Sequence, residues 1–184
     1  ITDIGENKVQ EILDKYDAVH PVRWHLIGHL QTNKVKYIID KVCMIHSVDS
    51  EKLAEEIERR AAQHGTAMDI LIQVNSAMEE SKFGISTEET GALIRQILEK
   101  CPHIRIRGLM CIAPFAEDPS DVAVYFRAVK KLYDEYSKIE HERLDFQYLS
   151  MGMSHDFETA IAEGSNLIRI GTAIFGPRNY NKNA

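Results

Sequence analysis

Residues 42–74 decide the fold, and they read VCMIHSVDSEKLAEEIERRAAQHGTAMDILIQV. Two short apolar runs, Val42–His46 and Met68–Val74, enclose a stretch in which Leu53 and Ile57 recur at helical spacing. Short runs rich in branched residues are typical of strands that helices cover. A strand, a helix and a second strand in this order predict a parallel βαβ unit.

The same alternation extends in both directions along the chain. Further apolar runs, each predicted to be a strand, lie at Trp24–Gly28, Ile104–Met110, Phe146–Ser150 and Leu167–Gly171, and Asp3–Gly5 reads as the end of one more. Amphipathic stretches predict helices at 7–16, 34–41, 50–65, 86–98, 118–136 and 156–163. An open doubly wound sheet and a (β/α) barrel both fit this alternation. The first strand is followed by no GxGxxG turn, which an open nucleotide-binding sheet usually carries.

Composition excludes several classes of protein. The chain has 184 residues, 44% of them hydrophobic, and a formal net charge of −6. These values argue against a disordered chain and against a general nucleic-acid binder, whose footprint would be basic. Apolar runs are shorter than the roughly 18 residues of a membrane span. Three cysteines without a CxxC pair fit a reducing cytoplasm, so we expect one cytoplasmic domain over residues 1–184 with neither nucleic acid nor membrane as partner.

Arg169 is the first candidate for a functional residue. Period-two alternation in the last predicted strand places Arg169 on one face and its neighbours Ile168 and Ile170 on the other. An arginine inside a covered sheet is costly unless it is paired or faces a ligand. Both a structural carboxylate and a bound ligand satisfy that requirement.

Small and hydroxyl residues beside the last two strands form the second candidate site. Ser154 precedes one predicted helix, and Gly171 and Thr172 lie at a tight turn into another. Backbone N–H groups and hydroxyls at two helix starts form a typical phosphate cup, and barrels often bind phosphate at this place. Ordinary helix capping is the alternative interpretation of the same residues.

Other polar residues are weaker candidates for functional residues. His25 and His29 lie four residues apart but straddle a strand end, so helical metal-ligand spacing does not apply and we predict no metal site. Lys82 falls in a predicted loop, where a solvated lysine is the default. We predict no catalytic residue from the sequence.

The motifs together resemble a known family. Residues Trp24–Lys34 closely resemble the signature of the pyridoxal phosphate homeostasis proteins. Further motifs of that family match in the same order at Gly5–Glu11, His46–Asp49, Gln73–Asn75, Gly108–Met110, Leu149–Ser154 and Ile168–Gly176. The match runs from about Asp3 to Arg178, which is nearly the whole chain.

The resemblance implies a fold and a cofactor. It implies an α/β fold, an alanine-racemase-like (β/α)8 barrel of the TIM type that binds pyridoxal 5′-phosphate (PLP). By the same likeness Arg169 would meet the pyridine nitrogen and Asn7 would lie near the ring. Ser154, Gly171 and Thr172 would surround the phosphate. This agrees with the inward arginine and the phosphate cup found from the residues alone.

The resemblance also implies a function. It implies a monomer that binds, buffers and delivers PLP inside the cell, with PLP-dependent apoenzymes as recipients and without turnover of a substrate. Two alternatives stay open: a PLP-dependent amino-acid racemase or lyase, and a barrel for another phosphate ligand. An arginine, which is always cationic and only donates hydrogen bonds, favours an unprotonated pyridine ring and weakens carbanion chemistry.

One departure from the family pattern concerns its Schiff-base lysine, which lies on the first strand, upstream of the Gly-Glu-Asn motif. Here that motif starts at Gly5 and the sequence starts at Ile1. We therefore expect an N-terminally incomplete barrel that lacks the first strand and most of the second. Lys8 and Lys34 lie in helical stretches after the motifs, so no covalent lysine is nominated.

Overall fold

The structure is a computed structural model that describes residues 1–79 and 82–177. Arg178, where the family motifs end, and the remainder of the predicted 1–184 domain lie outside the described residues. Seven strands form one sheet in chain order: Asp3–Glu6 (β1), Arg23–Leu26 (β2), Met44–Val48 (β3), Met68–Val74 (β4), Ile104–Cys111 (β5), Leu144–Met153 (β6) and Leu167–Arg169 (β7).

Helices connect these strands and cover the sheet. They are Val9–Lys15 (α1), Glu51–Gln63 (α2), Thr90–Lys100 (α3), Ala123–Tyr136 (α4), Phe157–Ala162 (α5) and Thr172–Phe175 (α6). In α2 the predicted stripe is buried at Leu53, Ile57 and Ala61. The motif predicted to be a capping box lies in the turn before α3, where the Ser86 hydroxyl accepts from the Glu89 amide at 3.2 Å and donates to the Glu89 carboxylate at 2.6 Å. The reciprocal bond of a capping box is replaced by this second one, and the N-cap of α3 itself is Glu89.

The helix predicted at 34–41 differs in the structure. Thr32–Tyr37 forms a 3-10 helix instead, with Val35 as its buried residue. The tighter 3-10 winding suits a short connector between two strands. A second short 3-10 helix, Pro119–Val122, starts at Asp118, whose carboxylate accepts from the Ser120 amide, and leads into α4.

All six strand pairs are parallel and join consecutive strands. A doubly wound sheet would reverse its strand order partway, whereas a barrel keeps consecutive order. The sheet is therefore a nearly closed barrel, and the predicted (β/α) barrel class is confirmed. Within residues 1–79 and 82–177, β1 and β7 are its two edges.

Two layers of core follow from the alternation along each strand. Ile70 and Ile72 of β4 belong to the large cluster under the helices. Leu71, on the opposite face, packs with Met44 and Met110 in a separate small cluster inside the barrel. None of the described helices has the length and apolarity that crossing a bilayer requires.

Candidate functional site

A cavity of about 1770 Å³ opens between the two edge strands. Residues 3–8 of β1 and its following turn line one side, and residues 167–173 of β7 and its following turn line the other. Residues 112–116, after β5, and 153–156, at the end of β6 and the turn that follows, close the cavity at the carboxyl ends of those strands. Working residues of barrels lie at these strand ends, so this cavity is the candidate site.

Arg169 projects into the barrel, as the alternation predicted. It is 8% exposed, while its neighbour Ile168 is 36% exposed. Its guanidinium donates to the Ser150 hydroxyl at 2.6 Å, to the Ser150 carbonyl at 2.9 Å and to the Cys111 carbonyl at 2.8 Å. These partners are neutral, and burial lowers the pKa of Arg169 from its usual value. The hydrogen bonds therefore hold the cation without cancelling its charge.

The structure brings together the residues predicted to form a phosphate cup. Ser154 Oγ accepts from the backbone amides of Gly171 and Ala173, each at 3.2 Å. Thr172 is exposed and lines the cavity beside them. A Cβ built on Gly171 meets no described atom within 4 Å. A cluster of amides and hydroxyls facing open space has the chemistry that binds a phosphate.

Gly152 explains how β6 delivers Ser154 to that cluster. Its φ is +92°, which L side chains rarely adopt, and a Cβ there would lie 2.7 Å from the Ala160 Cβ and 2.9 Å from the Phe157 Cα. The end of β6 therefore packs directly against α5. The short turn between them aims Ser154 at the turn after β7.

Asn7 lies across the cavity from the cup. It is exposed, lines the cavity and follows β1 directly. Gly28 fixes the position of its backbone, because a Cβ on Gly28 would lie 2.3 Å from the Asn7 carbonyl oxygen. The structure thus brings all five predicted residues to the walls of one cavity.

Lys82 corrects the expectation of a solvated loop lysine. It lines the cavity, and its Nζ donates to the Ala113 carbonyl at 3.2 Å and pairs with Glu79 at 3.1 Å. Lys8 and Lys15 line the same cavity near β1. Sequence patterns place Lys82 only in a loop and carry no signal for its contact with Ala113.

Two buried histidines belong to the site although sequence reasoning set one of them aside and did not single out the other. His25 and His46 sit on neighbouring strands, with His25 Nδ1 2.9 Å from His46 Nε2. The thiol of Cys43 lies 3.3 Å from His25 Nε2. In the described ranges, no group of three or more His, Cys, Asp or Glu side chains is placed to hold a metal ion. A polar residue in an apolar run was the available signal for each histidine.

Comparison with known proteins gives a family match and similar sequences. Residues 1–179 match the family "Alanine racemase, N-terminal domain". The chain is 48% identical over 178 residues to the pyridoxal phosphate homeostasis protein of Aquifex aeolicus, covering 96% of this chain and 77% of that protein. It is 38% identical over 191 residues to the human protein of that name, covering 97% and 69%.

Solved structures give the same fold. PipY of Synechococcus elongatus, solved with PLP bound, superposes with a TM-score of 0.81 at 35% identity, covering 94% of this chain and 80% of that one. Its form without PLP gives 0.84. An alanine racemase of Clostridium difficile gives 0.73 at 15% identity, covering 98% of this chain and 46% of the racemase, and this likeness concerns the fold alone.

Proposed function

Because the chain belongs to the pyridoxal phosphate homeostasis protein family, we propose that it binds PLP and takes part in the homeostasis of that cofactor without turning over a substrate. Relatives at 48% and 38% identity carry that name, and PipY has been solved with PLP bound. The observation that carries the proposal is the cavity in which Arg169 and the Ser154–Gly171 cluster lie together.

The residues present fit the chemistry of PLP at both ends of the ligand. Ser154, Thr172 and the amides around Gly171 supply donors for a phosphate, and the empty space at the Gly171 Cα lets a phosphate approach the backbone. Arg169 supplies a buried cation for the ring nitrogen. Asn7 stands on the opposite wall, where the ring would pass.

Arg169 also supports binding rather than turnover. PLP acts as an electron sink most strongly when a carboxylate keeps its ring nitrogen protonated. A guanidinium stays cationic and offers only donors, so it favours the unprotonated ring. Arg169 would thus help to hold PLP while weakening the electron withdrawal by its ring.

Equilibrium binding tests the proposal. We expect the chain to bind PLP, and Arg169→Glu to weaken binding strongly because it replaces a buried cation with an anion. Arg59→Glu, on the exposed face of α2, is the matched control and should bind as the wild type does. Equal affinity for inorganic phosphate and PLP would point instead to a barrel for another phosphate ligand.

The enzymatic alternative has its own test. A racemase or lyase acting on amino acids would exchange the α-hydrogen of free amino acids in deuterated water when PLP is present. We expect no exchange at enzyme-like rates in proton NMR spectra. Sustained exchange at enzyme-like rates would replace the binding role with a catalytic one.

The recipients and the location complete the proposal. We propose a cytoplasmic monomer that hands PLP to PLP-dependent apoenzymes. Cys43, Cys101 and Cys111 are free thiols, which suits a reducing compartment. Recovery of activity by a PLP-dependent apoenzyme, measured after mixing with the PLP-loaded protein, tests the delivery, and light scattering tests the monomer.

A further inference from the structure

A file of polar side chains crosses the interior of the barrel from one edge strand to the other. Its members are Asp3 on β1, His25 on β2, His46 on β3, Ser150 on β6 and Arg169 on β7. His46 is 1% exposed and Ser150 is fully buried. Burying polar groups is unfavourable unless each is hydrogen-bonded, so each buried member of this row needs a hydrogen-bond partner. We call this file the hydrogen-bond relay.

The contacts are continuous. Asp3 Oδ1 lies 2.9 Å from His25 Nε2, and His25 Nδ1 lies 2.9 Å from His46 Nε2. The Ser150 hydroxyl lies 3.4 Å from His46 Nδ1. Arg169 donates to the same hydroxyl at 2.6 Å.

The two ends of the relay fix the direction of every hydrogen bond in it. A guanidinium only donates, and an ionised carboxylate only accepts. Ser150 accepts from Arg169, so its own proton is free to go to His46 Nδ1. The proton of His46 is then on Nε2 and goes to His25 Nδ1. The proton of His25 is on its Nε2 and goes to the Asp3 carboxylate.

The charge states agree with that direction. Burial lowers the pKa of His25, although the bond to Asp3 opposes it. Burial also lowers the pKa of His46, and the nearby His25 and Arg169 add to the effect. Burial alone would raise the pKa of Asp3, but hydrogen bonds from Arg23, Thr2 and His25 bring it below its usual value. Two neutral histidines thus join an ionised carboxylate to a cationic guanidinium.

The relay leaves part of Arg169 available. Its three hydrogen bonds within the described residues use three of the five guanidinium N–H groups. Two donors remain for a ligand, in a direction set by the bonds to Ser150 and Cys111. Arg169 lines the cavity, so these donors are what a ring nitrogen there would meet.

We propose that Asp3, His25, His46 and Ser150 are positioning residues that fix the tautomers of the relay and aim the guanidinium of Arg169 at the ring nitrogen of a bound vitamer. This inference rests on the proposed function for the identity of the ligand. Ser150 is the decisive member of the relay, because its hydroxyl contacts both Arg169 and His46.

Histidine tautomers provide a test without ligand. Nitrogen-15 NMR of the full chain should show His25 and His46 neutral at pH 7, each with its proton on Nε2. Ser150→Ala should leave His25 in that state and change the Nδ1 signal of His46, which loses its donor. Either histidine with its proton on Nδ1 in the wild type would overturn the relay.

Binding of pyridoxine 5′-phosphate, which has no aldehyde, tests the aim of Arg169. Loss of a hydrogen bond to a charged group should weaken binding about tenfold in Ser150→Ala. The pKa of the bound ring nitrogen, followed by absorbance, should rise because the guanidinium is less firmly held. Ser150→Thr keeps the hydroxyl and should restore both values. Thr90→Val removes a buried hydroxyl on α3, away from the cavity, and should change neither.

Outcomes separate the two claims. Binding by the wild type with the same affinity and ring pKa in Ser150→Ala would overturn the positioning role and leave the proposed function standing. No binding of pyridoxine 5′-phosphate or PLP by the wild type would overturn both. Thermal melts identify any variant that is merely unfolded, and His46→Gln then serves as the second break in the relay.

Discussion

Gly171 and Gly152 lie on either side of the phosphate cup for different physical reasons. The space next to Gly171 is open, so we expect Gly171→Ala to fold with a stability change within about 0.5 kcal/mol. Its methyl group would occupy the approach of a phosphate and should weaken PLP binding. Calorimetric titration and thermal melts check both halves of the prediction, and wild-type affinity would contradict it.

Gly152→Ala is the counterpart, with the opposite expected result. A Cβ there would need a positive φ and would lie within 2.7 Å of Ala160. We expect the free energy of unfolding to fall by about 1–3 kcal/mol, the usual cost of overpacking. Urea denaturation measures this value, and an unchanged midpoint would show that β6 and α5 separate easily.

His46 makes stability depend on pH in a direction that its burial fixes. Its folded pKa lies below the unfolded value of about 6.5. The unfolded chain therefore binds more protons as the pH falls below about 6.5, and folding stability is lost in that direction. Urea denaturation between pH 7.5 and 5 should show this fall. His46→Gln should reduce the slope and leave the part that the buried His25 contributes, whereas exposed His64→Gln should keep the wild-type slope.

At the scale of single elements, the turn that leads into α3 gives the clearest test of local stability. The Ser86 hydroxyl makes two hydrogen bonds with Glu89 in the turn before α3, so Ser86→Ala should lower the free energy of unfolding by about 1 kcal/mol. Lys52→Ala, at an exposed position of α2, is the control. Equal melting temperatures for the two variants would contradict the role of Ser86.

Sequence periodicity predicted most of the strands and helices, because both kinds of element have local signals. All seven strands were anticipated, and Arg169 was placed on the correct face from three consecutive residues. The 3-10 helix at Thr32–Tyr37 was missed because the same apolar spacing serves both helix types over one or two turns.

The relay was out of reach of sequence reasoning for a different reason. His46 and Ser150 are 104 residues apart, and their contact depends on the curvature of the sheet. No local pattern encodes which side chains meet across the inside of a barrel. The proximity of Ser154 and Gly171 was predictable because the carboxyl ends of parallel strands lie at one edge of the sheet.

At the scale of the whole molecule, the cavity joins the two edge strands. A ligand that contacts Asn7 after β1 and Arg169 on β7 would link these edges. Saturating PLP at one hundred times its dissociation constant should stabilise the protein by about 2.7 kcal/mol. The shift in melting temperature measures this, with Arg59→Glu as the control that keeps it and Arg169→Glu as the variant that loses it.

Hydrogen exchange locates that stabilisation. We expect the backbone amides of β1 and β7 to gain protection on PLP binding, because they border the cavity. Amides of β4, which lies mid-sheet between β3 and β5, should gain least. Uniform protection of all seven strands would show that the ligand acts on global stability and does not link the edges.

The contact between Ser150 and His46 has a mechanical consequence. β3 and β6 are not neighbours in the sheet, so this contact crosses the interior of the barrel and does not follow the strand pairing. At 3.4 Å it is the longest bond of the file. An increase in the distance between β3 and β6 would therefore break this hydrogen bond. The imidazole NMR signals of His46 would report that change.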